Sequence, residues 1–359
     1  VLAWMRELVG LPSEFTGIVY DTASVAMMHA LAAARETVGD VRRRGLAGRP
    51  ELGAMRVYAS DQAHSSVEKS AIVLGLGEEN VVRVPSDAEY RVDVRALERA
   101  IERDMAVGLR PMAVVATVGT TSTASIDPVR EIAAVCRANG VWLHIDAAYG
   151  GALAMLPERR DVMDGAELAD SVVVNGHKWL FVPLDFSALY VRRPELLRAV
   201  FALTPEYLRG DAAHGEMDYM DYGIQLGRRF RALKAWMAFR AFGREGMEAR
   251  IREHCRLAEL FAGWVEAEPY YSMAAPVGMA VVCFRAEPPG LSAEECDALN
   301  ERVVDAVNAG GDAYLTHTTL RGRRVMRIGV GNVRTEERHL VLAWQRIREH
   351  VDAYLRAPR

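Results

Sequence analysis

The sequence predicts an α/β protein in two parts: a large domain over residues 1–240 on a mostly parallel sheet, and a small C-terminal α/β domain over 241–359. Two patterns predict this. Between residues 55 and 192, short β-branched runs alternate with helical stretches, and the runs are nearly continuous in apolar residues, as strands covered on both faces must be. Beyond Gly227, two long helical stretches lead into a separate strand-and-helix tail.

The elements follow in order. The chain opens at Val1 inside the helical phrase VLAWMRELVGL, with no Met and no signal peptide, and reads as the continuation of something before it. A long helix is expected over 22–38, capped by Asp21 or Thr22, and the Arg- and Gly-rich stretch 39–53 is expected as an exposed loop. MRVYAS (55–60) precedes a helix over 65–74, NVVRVP (80–85) a helix over 94–103, and MAVVATV (112–118) a helix over 129–138. VWLHID (141–146), SVVVN (171–175) and FSALYVR (186–192) complete the strands of the large domain. Helices follow over 228–242 and 246–267, then MAVVCFR (279–285), a helix over 292–309, RVMRIGV (324–330) and a last helix from Glu336. In a sheet of this kind ligands sit at the carboxyl ends of the strands.

Composition excludes several classes. Half of the 359 residues are apolar and 26% are charged, an ordinary globular balance that argues against disorder. The net charge is −4 and the longest cationic run is Arg42 to Arg44, so nucleic-acid and membrane-surface partners are not expected. Cys136, Cys255, Cys283 and Cys296 form no CxxC, which disfavours a zinc site or a disulfide framework and fits a reducing cytoplasm. No apolar stretch reaches the ~18 residues that a membrane span needs. There is no GxGxxG after a strand, no GxxxxGK[ST] and no HExxH.

Only three of the 44 basic residues are lysine. A lysine kept where arginine is the rule is a candidate for chemistry that only an amine can do, namely losing a proton and bonding a carbonyl carbon. Lys69 and Lys234 stand mid-helix beside charged neighbours and read as solvated or ion-paired surface lysines. Lys178 instead follows the apolar strand SVVVN, between His177 and Trp179, where partial desolvation favours the neutral nucleophile. Asp146 closes another apolar strand, and a carboxylate there needs a partner: an internal Arg, a helix start, or a cationic ligand such as a pyridinium nitrogen. Thr22, Ala23 and Ser24 open the first long helix, where free N–H groups favour an anion, although plain capping explains them equally well. Ser171, Asn175 and His177 form a second donor cluster around the Lys178 strand. His64 follows a strand and could stack on a flat ligand. A tether, a ring-nitrogen partner, a phosphate cradle and a stacking ring together meet the needs of pyridoxal phosphate (PLP) in a fold-type-I enzyme.

The phrases DTAS (21–24), SDQAHSSVEK (60–69), VATVGTTS (115–122), WLHIDAAYGG (142–151), ADSVVVNGHKWL (169–180), PEYL (205–208), LGRRFRALKAW (226–236) and RIGVGNVRT (327–335) run in order along the chain. In these the sequence resembles the group II PLP-dependent amino-acid decarboxylases, above all the aromatic-L-amino-acid branch. The resemblance implies the aspartate-aminotransferase-like fold of type I. It implies that Lys178 tethers the cofactor covalently, Asp146 pairs with the ring nitrogen, and His64 stacks on the ring and orients the substrate carboxylate. Ala23, Ser24, Ser171 and His177 would hold the phosphate, Thr121 would lie near the ring or its 3′ oxygen, and Asn175 and Ala148 would complete the cofactor set. Residues 209–222, with poor periodicity, resemble the family's catalytic loop. Tyr207 just before it would return a proton to the α-carbon once CO₂ has left, as a phenol with pKa near 10 can. Aldehyde-forming relatives carry Phe there, so Tyr favours simple decarboxylation. Gly227 matches a position where Gly leaves room for larger aromatic rings, which points to an indole or catechol side chain.

The chain departs from the family pattern at Gly176 (usually Pro), Val25 (often acidic) and Phe186 (often Cys). Relatives also carry an N-terminal segment that wraps the partner subunit, and this chain begins after it, so that either the sequence is truncated or the protein differs from its relatives there. The expected partner is a small amino-acid substrate, within a homodimer whose active site lies at the interface. The rival expectations are an aromatic aldehyde synthase, a decarboxylase of histidine or glutamate, and a catalytically impaired PLP-binding fragment or interaction domain.

Overall fold

A computed structural model describes residues 1–203 and 217–356 of the chain. It divides into two compact units: Val1–Thr120 with Ile126–Gly243, and Thr121–Ser125 with the chain from Arg244 onward. The break thus falls three residues beyond the 240/241 boundary expected from sequence, and the short 121–125 segment counts with the second unit.

In chain order the helices are α1 (Leu2–Leu8), α2 (Ala23–Val38), α3 (Val41–Arg44), α4 (Ser66–Val73), α5 (Val94–Ala106), α6 (Val129–Asn139), α7 (Gly176–Trp179), α8 (Pro194–Phe201), α9 (Arg231–Glu266), α10 (Ala293–Gly310) and α11 (Glu337–Arg356). The strands of the first unit are β1 (Thr16–Tyr20), β2 (Met55–Ser60), β3 (Val81–Val84), β4 (Arg110–Thr117), β5 (Trp142–Asp146), β6 (Ser171–Asn175) and β7 (Ser187–Val191). They form one sheet in the order β1-β7-β6-β5-β4-β2-β3. Strand β7 is antiparallel to both its neighbours and the remaining pairings are parallel, so β1 to β6 all point the same way. Every residue of β5, β6 and β7 is buried, which is why their sequences read as unbroken apolar runs.

Helix α2 is the main cover. Thr22 caps it, its Oγ1 accepting from the Val25 N–H at 3.4 Å. Its small-residue face (Ala26, Met27, Ala30, Leu31, Ala33, Ala34) packs on Val57, Ala59, Val115, Val173 and Leu189 in one core. Alanines bring the helix close to the sheet, at no cost to helix propensity. Strand β1 escaped the sequence reading because TGIVY is short and contains Gly17. That glycine is required by space, since a Cβ there would come within 2.9 Å of the Tyr190 ring.

In the second unit, β8 (Tyr271–Met273), β9 (Val281–Ala286), β10 (Thr316–Leu320) and β11 (Arg323–Gly329) make an antiparallel sheet in the order β10-β11-β9-β8. Phe261, Phe284 and Trp344 meet edge to face in its core, with centroids 5.3 to 6.2 Å apart. Ser292 and Glu295 form a reciprocal capping box at the start of α10. The two helices expected over 228–242 and 246–267 are present within Arg231–Glu266, separated at Gly243, whose φ of 64° is non-helical.

Candidate active site

Because β1, β2, β4, β5 and β6 are co-directional, their carboxyl ends share one edge of the sheet. The register fixes this directly: Asn175 and Tyr20 both stand opposite Ser187, and Asp146 stands opposite Val173. That edge gathers five segments: 21–24 leading into α2, 60–64 after β2, 117–120 after β4, 146–149 after β5, and 175–178 after β6. The three that follow β4, β5 and β6 are laced together by backbone bonds. Val118 N–H donates to Asp146 O (2.9 Å), Gly150 N–H to Val118 O (3.1 Å), Ala147 N–H to Val173 O (3.0 Å) and Asn175 N–H to Ala148 O (3.2 Å). Gly119, at φ +90°, keeps this crossing tight, since a Cβ would lie 3.0 Å from the Gly150 nitrogen.

Asp146 ends β5 and is only 7% exposed, and its Oδ1 accepts the Ala148 N–H at 3.1 Å. Among the described residues no Lys, Arg or His forms an ion pair with it. A buried carboxylate with a single backbone donor lacks the cation that would offset its desolvation. His144, two residues earlier on β5, cannot supply one: full burial holds that imidazole neutral, with its pKa lowered to about 4 despite the pull of Asp146. A cationic ring nitrogen fits this position.

Lys178 lies in α7, the single turn that follows β6, and its amine is exposed at the same edge. The turn is pinned beneath it. The Asn175 Oδ1 accepts the Ser187 hydroxyl at 2.7 Å, and the His177 Nδ1 meets the backbone of Phe186 (N at 2.9 Å, O at 2.8 Å). Burial lowers the His177 pKa, with Lys178 adding to the effect, which keeps that ring neutral beside the amine. Two family departures prove to be one packing solution: a Cβ on Gly176 would stand 2.7 Å from the Phe186 ring, so the large Phe186 requires the glycine before His177. Tyr149 stacks on Trp179 at 4.8 Å and 14°, closing the floor between the β5 and β6 ends.

The first N–H groups of α2, those of Ala23 and Ser24, have no acceptor within the helix and open on the same edge, where they suit a phosphate. His64 lies exposed after β2, and its Nδ1 accepts the Ser66 N–H at 3.0 Å, so the neutral ring carries its proton on Nε2. Ala148 is buried beside Asp146.

One expected site residue, Ser171, is not brought into this group. Ser171 starts β6 and so lies at the opposite edge of the sheet, fully buried, where its Oγ meets Trp142 Nε1 (3.0 Å) and His144 Nδ1 (2.8 Å). It holds no phosphate; it braces β5 against β6. Thr121 is exposed and belongs to the second unit, whose Arg327 and Thr318 hold the adjacent Ser122. Gly227 is exposed, with open space around it. Tyr207 lies outside the described residues. The sequence reading also missed a buried ion network. Arg231, 6% exposed, joins Asp21 (2.8 Å) to Asp185 (3.2 Å), and Lys234 reaches Asp185 at 3.4 Å. Arg231 holds the Asp185 carboxyl down to about pKa 2. The network ties the approach to α2, the loop after α7 and the start of α9, and no local pattern announces it because Asp21 is 164 residues from Asp185 and 210 from Arg231.

Comparison with known proteins agrees with this geometry. Residues 1–287 match the pyridoxal-dependent decarboxylase conserved domain. The chain is 37% identical to a phenylacetaldehyde synthase of Arabidopsis thaliana, over 99% of this chain and 74% of that protein. It is 38% identical to the aromatic-L-amino-acid decarboxylase of Bos taurus, over 99% and 74%. The crystal structure of Oryza sativa TDC with PLP and tryptamine superposes with a TM-score of 0.93 at 34% identity, covering 98% of this chain and 75% of that one. The chain belongs to the pyridoxal-dependent decarboxylase family.

Proposed function

We propose that this chain binds PLP at the gathered strand edge and decarboxylates an aromatic L-amino acid to its amine. The observation that carries this reading is the pairing of a buried, cation-less Asp146 with an exposed amine, Lys178, at the ends of adjacent parallel strands. When bound, PLP supplies an electron sink for the pair left on the α-carbon as CO₂ departs. The protein does the rest. Asp146 would keep a ring nitrogen protonated, and Lys178 would provide the covalent anchor. The α2 start, through Ala23 and Ser24, takes the phosphate with His177 and Asn175 nearby, while Ala148 completes the cofactor contacts. His64 covers the ring face and orients the substrate carboxylate, so that the breaking bond is aligned before reaction. Tyr207 donates the proton to the α-carbon, and Gly227 leaves space for a large aromatic side chain.

We further propose a cytoplasmic homodimer with the active site at the subunit interface. Leu233, Trp236 and Met237 lie on one stripe of α9, with Phe230 just before it, and all four are exposed, Phe230 at 75%. No helix among the described residues is long and apolar enough to cross a membrane.

The resemblance to a phenylacetaldehyde synthase favours one second reading, in which O₂ and water are consumed and the products are aldehyde, CO₂, ammonia and peroxide. A panel of tryptophan, dopa, tyrosine, phenylalanine and histidine with added PLP separates the readings. Amine and CO₂ in equal amounts from an aromatic substrate, without peroxide, is the expected result. Ammonia and peroxide as major products establish the second reading, and turnover of histidine alone, or of nothing, overturns both.

A further inference from the structure

One buried histidine takes no part in the chemistry above. His29 lies on the second turn of α2, fully buried, with its ring stacked on Tyr20 (4.3 Å, 29°) and tilted against Phe201 of α8 (4.7 Å). Both ring nitrogens are committed. Nδ1 lies 2.7 Å from Val25 O, and a carbonyl can only accept, so Nδ1 carries the proton. Nε2 is then a lone pair, and it accepts the Ile224 N–H at 3.1 Å. Burial lowers the His29 pKa to about 4, so the neutral tautomer that both bonds require is the one present near neutrality.

The same cluster fixes the chain around Ile224 at several points. The Tyr20 hydroxyl donates to Tyr222 O, and Arg228 donates to Val19 O and to Tyr219 O while standing over the Tyr20 ring. Gly223 makes the approach possible: its backbone is extended, but a Cβ would lie 2.9 Å from His29 Nε2 and 3.0 Å from Tyr20 Cε1. Phe201 and residues 222–224 are the described chain on the two sides of the stretch that contains Tyr207. Val25 belongs to the first turn of α2, directly after Ala23 and Ser24.

We propose that His29 is a positioning residue for the reaction, holding the chain on both sides of the Tyr207 stretch in fixed register with the phosphate-binding start of α2. This rests on the proposed function for its consequence, though not for its geometry. His29 touches no reacting atom; it acts through Ile224, Tyr20 and Phe201. Its expected signature is a change in how the α-carbon is reprotonated without a change in how the cofactor binds.

The test uses the full chain and three variants. His29→Leu keeps the apolar bulk and removes both ring nitrogens, His29→Gln keeps an acceptor, and Gly223→Ala presses on the same contact from the other side. In the protein without substrate, amide exchange at Ile224 should quicken about ten-fold in His29→Leu and Gly223→Ala, as expected for the loss of one hydrogen bond, and return to within about two-fold of wild type in His29→Gln. With substrate, the first two variants should lower kcat for the amine and raise the ammonia-to-amine ratio, with PLP affinity and KM unchanged. Ile224 exchange and product ratio both at wild-type values in His29→Leu would overturn the proposal. Because the exchange readout needs no turnover, a wild type that forms no amine would sink the proposed function and leave the His29 contact to be judged separately.

Discussion

Lys178→Arg is expected to abolish amine formation, lowering kcat by about 10⁴-fold or more, although it keeps the charge and most of the volume. Arginine cannot lose its proton near neutrality and so cannot serve as the covalent anchor. The structure explains why no other residue substitutes. Lys178 is fixed in a single turn whose neighbours are tied down on both sides, His177 by Phe186 and Asn175 by Ser187. Lys234 is spent on Asp185, and Lys69 is on α4, beyond β2. Lys178→Ala should behave alike, with far-ultraviolet circular dichroism and melting temperature close to wild type because the side chain is exposed. Added alkylamine that restores part of the rate to the alanine variant, and none to the arginine variant, would trace the defect to the missing amine. Retention of more than about a hundredth of wild-type activity in either variant would contradict the assignment.

Tyr207→Phe carries the second large effect and is more informative about reaction type. Removing a general acid costs ~10² to 10⁴ in the step it serves. Here the step follows loss of CO₂, so consumption of the amino acid need not fall as far as amine output does. The amine rate should drop by about 100-fold or more while ammonia and peroxide rise to become the main products under air. Under nitrogen the variant should lose that second output as well, because the diverted path needs O₂. An unchanged amine yield would remove Tyr207 from the mechanism and shift the proton donor to another group.

Much of this site was legible because burial and polarity conflict at strand ends. VWLHID and SVVVN are apolar runs closed by a polar residue, and in a parallel sheet the closing end is the ligand end. The same rule corrects the reading of Ser171. It opens SVVVN where Asn175 closes it, so the direction of the strand alone sends it to the far edge, where Trp142 and His144 take its hydroxyl. The antiparallel insertion of β7 was not legible, since a strand buried on both faces has the same pattern in either direction. Nor were the contacts that hold the site from a distance. Asp21, Asp185 and Arg231 each look like solvated surface charges in sequence, and His29 looks like a lone polar break in an alanine-rich helix. Only the fold brings Asp21 to Arg231 and the His29 ring to Ile224. The departures at Gly176 and Phe186 show the same limit: each looks like an independent variation until the 2.7 Å approach couples them.

The central claim is that one amine, on the turn after β6, carries the cofactor. The chain contains three lysines, which makes the claim unusually easy to read out. Wild-type protein incubated with PLP, reduced with borohydride and digested should yield one modified peptide, with the pyridoxyl label on Lys178 in stoichiometric amount. Label spread over Lys69 and Lys234 with Lys178 unmodified, or no label at all, would contradict the account.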